Sequence, residues 1–202
     1  MARIRPILIW VAVVAAIAVP LGVAATSPLL EWRDAIYIAA CLAGVVALAL
    51  VFVQPLLAVG YLPGLDGRRG RRAHLWVGVG LVVALVLHVA GLWITSPPDI
   101  IDALLFRSPT PFSAWGVVAM WALFATALLA AVRKRMQPGR WRLGHTALAV
   151  VVVAGSAVHA MLIEGTMGFW SKAALCALAL VATVKALVDL NSSRARRRPG
   201  IR

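Results

Sequence analysis

Long apolar stretches dominate this 202-residue chain and restrict the folds open to it. Six of these stretches are each about as long as the ~20 residues that a helix needs to cross a bilayer. We place them at 7–26, 35–57, 74–95, 113–132, 145–163 and 168–189. Because a segment in lipid must satisfy its backbone polar groups internally, each stretch is expected to span as a helix. The sequence therefore predicts an all-α integral membrane protein, with a six-helix transmembrane bundle over residues 1–190.

Positive charge is distributed unevenly between the two sides of these spans. The chain has 20 Lys and Arg residues against 7 Asp and Glu, a formal net charge of +13. Most of the basic residues lie before the first span, between the second and third, between the fourth and fifth, and after the sixth: Arg3, Arg5, Arg68, Arg69, Arg71, Arg72, Arg133, Lys134, Arg135, Arg140, Arg142, Arg194, Arg196, Arg197, Arg198 and Arg202. Because cytoplasmic loops carry the excess of Lys and Arg, we predict a multi-pass protein of the cell inner membrane with both termini cytoplasmic. Residues 191–202 are predicted to be a disordered basic cytoplasmic tail.

Basic runs also occur in proteins that bind nucleic acid, but their position between apolar spans argues against that class. No nucleic-acid-binding motif is present in the sequence. Cationic runs beside membrane spans contact anionic lipid headgroups. We therefore expect membrane lipids, and no nucleic acid, as partners of these charges.

The first apolar stretch has a second interpretation. A basic start at Arg3 and Arg5 is followed by an apolar run and by Val23-Ala24-Ala25, which resembles a signal-peptidase site. The run is long for a leader peptide, and its removal would leave the orientation of the remaining spans unchanged. Whether residues 1–25 are cleaved stays open at this stage.

The four histidines of the chain form two pairs with equal spacing. The third span contains His74 and His88, which are 14 residues apart. The fifth span contains His145 and His159, also 14 residues apart. In a helix, 14 residues rise ~21 Å and return to within ~40° of the starting face, so each helix presents its two imidazoles on one stripe at two depths. Because both spans run from inside to outside, equal spacing means equal depth.

Two stacked bis-histidine sites between the third and fifth spans suit two haems. Imidazole is a common ligand of haem iron, and two axial imidazoles complete its coordination. Ionisable side chains inside a membrane span are costly and generally mark a functional site. We predict that His74 and His145 ligate an inner haem iron near the cytoplasmic face. We predict that His88 and His159 ligate an outer haem iron.

Arginine and cysteine residues bear on how the protein would hold these haems. Haem propionates need cationic partners, for which Arg72 and Arg142 are inner candidates and Arg107 is an outer candidate. Each arginine equally fits an ordinary topology charge at the headgroups, and both interpretations stay open. Cys41 and Cys176 lie within apolar spans and outside any C-x-x-C-H motif, so the haems would be haem b, bound non-covalently.

This arrangement resembles the ferric reductase-like transmembrane domain family. The matching segments are RRGRRAHLWVGVGLVVALVLHVAGLW at 68–93 and RWRLGHTALAVVVVAGSAVHAMLIEG at 140–165. Each has a basic start, a histidine, thirteen residues and a second histidine. The family includes the membrane cores of eukaryotic ferric reductases and NADPH oxidases, and the haem-bearing membrane subunit of a bacterial periplasmic methionine sulfoxide reductase system. The resemblance covers essentially the whole chain and implies electron transfer across the membrane through two haems at these four histidines.

The resemblance leaves the donor and the acceptor of electrons open. The oxidases and eukaryotic reductases carry a flavin and NADPH module after the last span, whereas this chain continues for only about a dozen residues beyond its own. We therefore expect an oxidoreductase component without its own NAD(P)H or flavin domain. A cytoplasmic flavoprotein or quinol would be the donor, with the flavin or quinone belonging to that partner, and a ferric chelate or a periplasmic redox protein would be the acceptor.

No residue is assigned a catalytic role beyond haem ligation. The alternative function is a haem-bearing membrane anchor or partner subunit of a periplasmic reductase. Such a subunit would hold one haem, or would use its haems for structure or redox sensing.

Overall fold

The computed structural model describes residues 4–196, with the side chains of residues 4–192. This part of the chain forms seven α-helices and no strands. They are α1 (Ile4–Ala25), α2 (Ala35–Val59), α3 (Gly67–Thr95), α4 (Pro97–Leu104), α5 (Pro111–Ala131), α6 (Pro138–Leu162) and α7 (Phe169–Arg196). All except α4 are long and apolar enough to cross a membrane. The six predicted spans are therefore confirmed, and the third and fifth correspond to α3 and α6.

The two histidine-bearing helices begin earlier than their apolar spans. We expected spans from residues 74 and 145, whereas α3 begins at Gly67 and α6 at Pro138. A proline at the first helical position lacks only an N–H that has no intrahelical partner there, and arginine is a good helix former. Hydropathy detects the part of a helix in lipid, so it misses basic turns that continue the helix beyond it. His74 and His145 consequently lie about two turns inside their helices.

The helix α7 extends past its predicted span. It continues to Arg196, so residues 191–196 of the expected disordered tail are helical. This stretch contains no Pro or Gly, and extending an existing helix costs far less than starting one. The rest of the tail, 197–202, and Arg3 at the other terminus lie outside the described residues.

The bundle is built from two similar hairpins. Helices α2 and α3 pack along their length, as do α5 and α6, while α7 packs against α2 and α6 and α1 lies beside α2 and α7. The two hairpins meet through limited α3–α5 and α2–α6 contacts. Among the described helices, α3 and α6 share no extended interface, although they carry the four histidines. We call the end of the bundle with the α2–α3 and α5–α6 turns the basic end, and the other the opposite end.

Small residues bring the helices of each hairpin close together. A Cβ atom on Gly91 would lie 2.7 Å from the Cβ of Ala40. In the second hairpin, a Cβ on Gly155 would lie 3.1 Å from the Cβ of Ala119. These two glycines therefore serve helix–helix packing of the kind that membrane bundles use.

A polar cluster joins the basic end of α2 to α7. The Tyr61 hydroxyl, just after α2, donates a hydrogen bond to the Asp189 carboxylate. The Lys185 ammonium lies 2.8 Å from the same carboxylate and 4.8 Å from the centroid of the Tyr61 ring. Burial, and then the hydrogen bond to Asp189, raise the pKa of Tyr61 above its usual value. The phenol therefore stays protonated at neutral pH and remains the donor.

Candidate haem sites

The two histidines toward the opposite end each bond to the backbone of the other helix of their hairpin. Nδ1 of His88 in α3 lies 2.8 Å from the carbonyl oxygen of Ala40 in α2. Nδ1 of His159 in α6 lies 2.8 Å from the carbonyl oxygen of Phe112 in α5. Because a carbonyl can only accept, Nδ1 carries the proton in both rings. Nε2 then bears the free lone pair, which is the form of imidazole that binds metal.

Two glycines make these hydrogen bonds sterically allowed. In an α-helix the carbonyl of Ala40 is bonded by the N–H of Gly44, and that of Phe112 by the N–H of Gly116. A ring that bonds to either carbonyl must therefore pass over the glycine. A Cβ on Gly44 would lie 2.8 Å from Nδ1 of His88, and a Cβ on Gly116 would lie 2.6 Å from Nδ1 of His159.

Sequence reasoning missed both glycines. Gly44 is the only glycine of α2 and Gly116 is the only glycine of α5. A single glycine in a helix otherwise made of larger residues is the sequence signal from which both positions could have been identified. The two sites thus repeat one local design, in which a histidine of one helix lies on a glycine of its hairpin partner.

At the basic end, the structure brings His74 and His145 together. Their ring centroids are 6.2 Å apart, with 62° between the ring planes. Nδ1 of His74 lies 3.3 Å from the backbone carbonyl of Gln54 in α2. The Gln54 side-chain amide in turn donates to the backbone carbonyl of His74 at 3.4 Å. Gln54, which sequence reasoning also missed, therefore ties α2 to α3 at this histidine.

His145 is held by stacking. Its ring lies 5.2 Å from the ring of Trp141 with 21° between the planes. The Trp141 indole N–H donates to the carbonyl of Leu129 at 3.2 Å, and the guanidinium of Arg133 lies 5.6 Å from the Trp141 ring centroid. Nδ1 of His145 is buried and has no hydrogen-bond partner among the described residues. The basic-end site is therefore less completely hydrogen-bonded than the site at the opposite end.

The predicted pairing by depth has a counterpart in the structure at the basic end. The rings of His74 and His145 lie beside each other, and Nδ1 of His88 and of His159 each bonds to a backbone carbonyl within its own hairpin. All four side chains are half-buried. The equal spacing thus agrees with the structure for His74 and His145, while the pairing of His88 with His159 stays a prediction.

The three predicted propionate partners lie at the surface. Arg72, Arg107 and Arg142 are all exposed. Arg142 lines a cleft between α6 and α7 with Leu187 and Asn191, so it is directed toward α7. The structure thus brings His74 and His145 together and leaves the three arginines exposed.

A family model for the ferric reductase-like transmembrane component matches residues 43–156. The chain belongs to this family. The match contains three of the four histidines and ends just before His159. As a member of the ferric reductase-like family, the chain is a transmembrane component of electron transfer, and domains of this family generally bind haem. Comparisons with curated proteins and with solved structures gave no match.

The residues present fit a haem. In the described part of the chain, no three His, Cys, Asp or Glu side chains converge as a metal site made by protein alone would require. A haem would bring four nitrogen ligands of its own, so two histidines would be enough to hold it. Metal–imidazole bonds are about 2.0–2.1 Å in zinc sites, so two such bonds and two ring half-widths span roughly 6 Å. The 6.2 Å between the rings of His74 and His145 agrees with that span.

Proposed function

We propose that this chain is a di-haem b protein that carries electrons across the membrane. In this proposal, His74 and His145 ligate the haem at the basic end, and His88 and His159 ligate the haem at the opposite end. The family supports a membrane electron-transfer component, and the His74–His145 pair together with the equal spacing of His88 and His159 along the same helices supports two haems in line.

The observation that carries the proposal is the set of Nδ1 hydrogen bonds to backbone carbonyls. Such a bond fixes both the tautomer and the direction of the ring, and it is the usual outer contact of a metal-bound histidine. Three of the four histidines make one, to Ala40, Gln54 and Phe112. Gly44 and Gly116 leave the space that the bonds of His88 and His159 require.

The protein contributes by positioning the histidine rings that would hold the haems. When bound, the haems supply the one-electron chemistry. The helices α2 and α5 orient the rings of His88 and His159, while Gln54 and Trp141 orient those of His74 and His145. Because the four histidines lie on helices long and apolar enough to cross a membrane, the path between them would run through a medium of low dielectric. With two histidines as ligands, each haem would supply electron transfer rather than substrate binding, and we assign no general acid, base or nucleophile.

The direction of transfer follows from the charges. We propose that the basic end is cytoplasmic and that electrons enter there from a cytoplasmic flavoprotein or from quinol. Arg68, Arg69, Arg71 and Arg72 at the start of α3 are exposed and offer a docking surface for an acidic partner. Electrons then leave at the opposite end to a ferric chelate or a periplasmic redox protein.

One observation favours a second candidate, a subunit with a single haem. The opposite-end site has two short Nδ1 hydrogen bonds and two glycine platforms. The basic-end site has one longer bond and an unpartnered Nδ1. If only one haem binds, we expect it at the opposite end, in a membrane anchor or partner subunit of a periplasmic reductase.

The deciding experiment is the haem content of detergent-purified protein, measured with a reduced-minus-oxidised spectrum. Two low-spin b haems per chain support the di-haem protein, one supports the single-haem subunit, and none after expression with ample haem would refute both. Stopped-flow reoxidation then separates transfer from anchoring. Rapid reoxidation of reduced haem by an external ferric chelate or periplasmic protein supports electron transfer, whereas haems that stay reduced support a structural or sensing role.

A further inference from the structure

Lys172 is a buried cation in the bundle. Among the side chains that the structure describes, it is the only charged one classed as buried, with 8% of its surface exposed. It lies on the first turn of α7 and donates from Nζ to the backbone carbonyl of Ile163. Charged side chains within membrane helices are costly unless something compensates them.

The described hydrogen bond of the Lys172 ammonium offsets only part of the free-energy cost of burying its charge. A lysine has three N–H donors, and the described contacts of Nζ use one of them. Ile163 directly follows α6 and has extended backbone angles, so its carbonyl is an ordinary neutral peptide acceptor. The one ion pair within the described residues joins Lys185 to Asp189. No described carboxylate, including that of Glu164 beside Ile163, therefore forms an ion pair with Lys172. The full positive charge of the Lys172 ammonium is thus opposed only by the partial negative charge of a peptide oxygen.

The position of Lys172 places this charge close to a histidine site. Ile163 lies one turn beyond His159, and its N–H bonds to the His159 carbonyl. One turn further along α7, Cys176 contacts the carbonyl of Ala157, two residues before His159. The turn from Lys172 to Cys176 therefore lies along the segment of α6 that holds His159.

We propose that Lys172 binds a propionate carboxylate of the haem at the opposite end and raises the reduction potential of that haem. The inference rests on the proposed function. A propionate would supply the missing full negative charge and accept the unused N–H groups. A fixed positive charge stabilises the reduced iron over the oxidised iron, because reduction removes one positive charge from the haem. A higher potential at the opposite end favours electron flow away from the basic end.

The test is a redox titration of the haem-loaded protein, followed by its absorption spectrum. Lys172→Met removes the charge and keeps an unbranched chain, Lys172→Arg keeps the charge, and Lys185→Met removes the other lysine of α7, which is exposed. We expect Lys172→Met to retain two haems and to lower one midpoint potential, with Lys172→Arg and Lys185→Met close to wild type. Repeating the titration with His145→Ala, which should leave only the opposite-end haem, must show the same downward shift.

The outcomes separate this inference from the proposed function. Two haems with unchanged potentials in Lys172→Met would overturn the inference and leave the proposed function standing. A wild-type protein without haem would overturn both. If Lys172→Met loses the opposite-end haem, retention in Lys172→Arg supports a role for the charge. Loss in both variants would assign Lys172 to capping α6 and overturn the inference.

Discussion

A Cβ atom on Gly44 would lie 2.8 Å from Nδ1 of His88, closer than real Cβ contacts allow. The imidazole can therefore reach the carbonyl of Ala40 only while position 44 has no side chain. The same relationship recurs between Gly116 and His159 in the second hairpin. The candidate site therefore requires that positions 44 and 116 have no side chain.

Gly44→Ala should displace the His88 ring and release most of the opposite-end haem. The new methyl group meets the ring at Nδ1, and the ring would have to give up the hydrogen bond that orients it. Gly116→Ala should produce the same loss through His159. Haem per chain and the reduced spectrum of each purified variant check this.

Gly80→Ala is the matched control for these variants. Its Cβ would lie 3.7 Å from the nearest atom, an ordinary contact with Leu50, so haem content should be unchanged. Replacing a helical glycine by alanine should stabilise the protein by about 0.5–1 kcal/mol. Equal haem loss in Gly80→Ala and Gly44→Ala would show that the effect is general and unrelated to His88.

Alanine variants of the histidines should fall into two spectral classes. His74→Ala and His145→Ala should remove one haem component, because these rings lie 6.2 Å apart. His88→Ala and His159→Ala should remove the other. Low-temperature absorption and electron paramagnetic resonance spectra of the four variants distinguish the components. Loss of one common component in His74→Ala and His159→Ala would contradict the pairing by depth.

Trp141→Leu should loosen the basic-end haem and leave the other intact. Stacking on Trp141 is the one ring contact that orients His145 besides its neighbour His74, and aromatic pairs contribute about 0.5–1.5 kcal/mol. We expect a several-fold faster loss of that haem to an excess of apomyoglobin. Trp141→Phe should lose haem more slowly than the leucine variant, since it keeps an aromatic face. Identical rates in the two variants would show that stacking does not hold His145.

The proposed orientation can be tested with single cysteines at exposed loop positions. Glu31 lies between α1 and α2 at the opposite end, and Gln137 precedes α6 at the basic end. In a background with Cys41 and Cys176 changed to alanine, a membrane-impermeant maleimide applied to intact spheroplasts should label Glu31→Cys. It should label Gln137→Cys only after the membrane is opened. The reverse pattern would place the basic end outside and reverse the proposed direction of electron transfer.

The sequence predicted the six membrane spans but not where α3 and α6 begin or where α7 ends. The apolar spans were recovered, but the starts of α3 and α6 were placed about two turns too late, because their basic first turns carry no apolar signal. The end of α7 was placed too early for a similar reason, since a polar stretch without Pro or Gly continues a helix.

The sequence by itself determined the six spans, the uneven distribution of charge and the juxtaposition of His74 and His145. It could do so because the thickness of a bilayer and the period of a helix convert spacing along the chain into depth and facing direction. Only the tertiary structure decided which backbone carbonyl each ring meets, that Gly44 must lack a side chain, and that Lys172 is buried. The lone glycine of α2 marks a position in the sequence, but which ring meets it depends on how distant helices pack against one another.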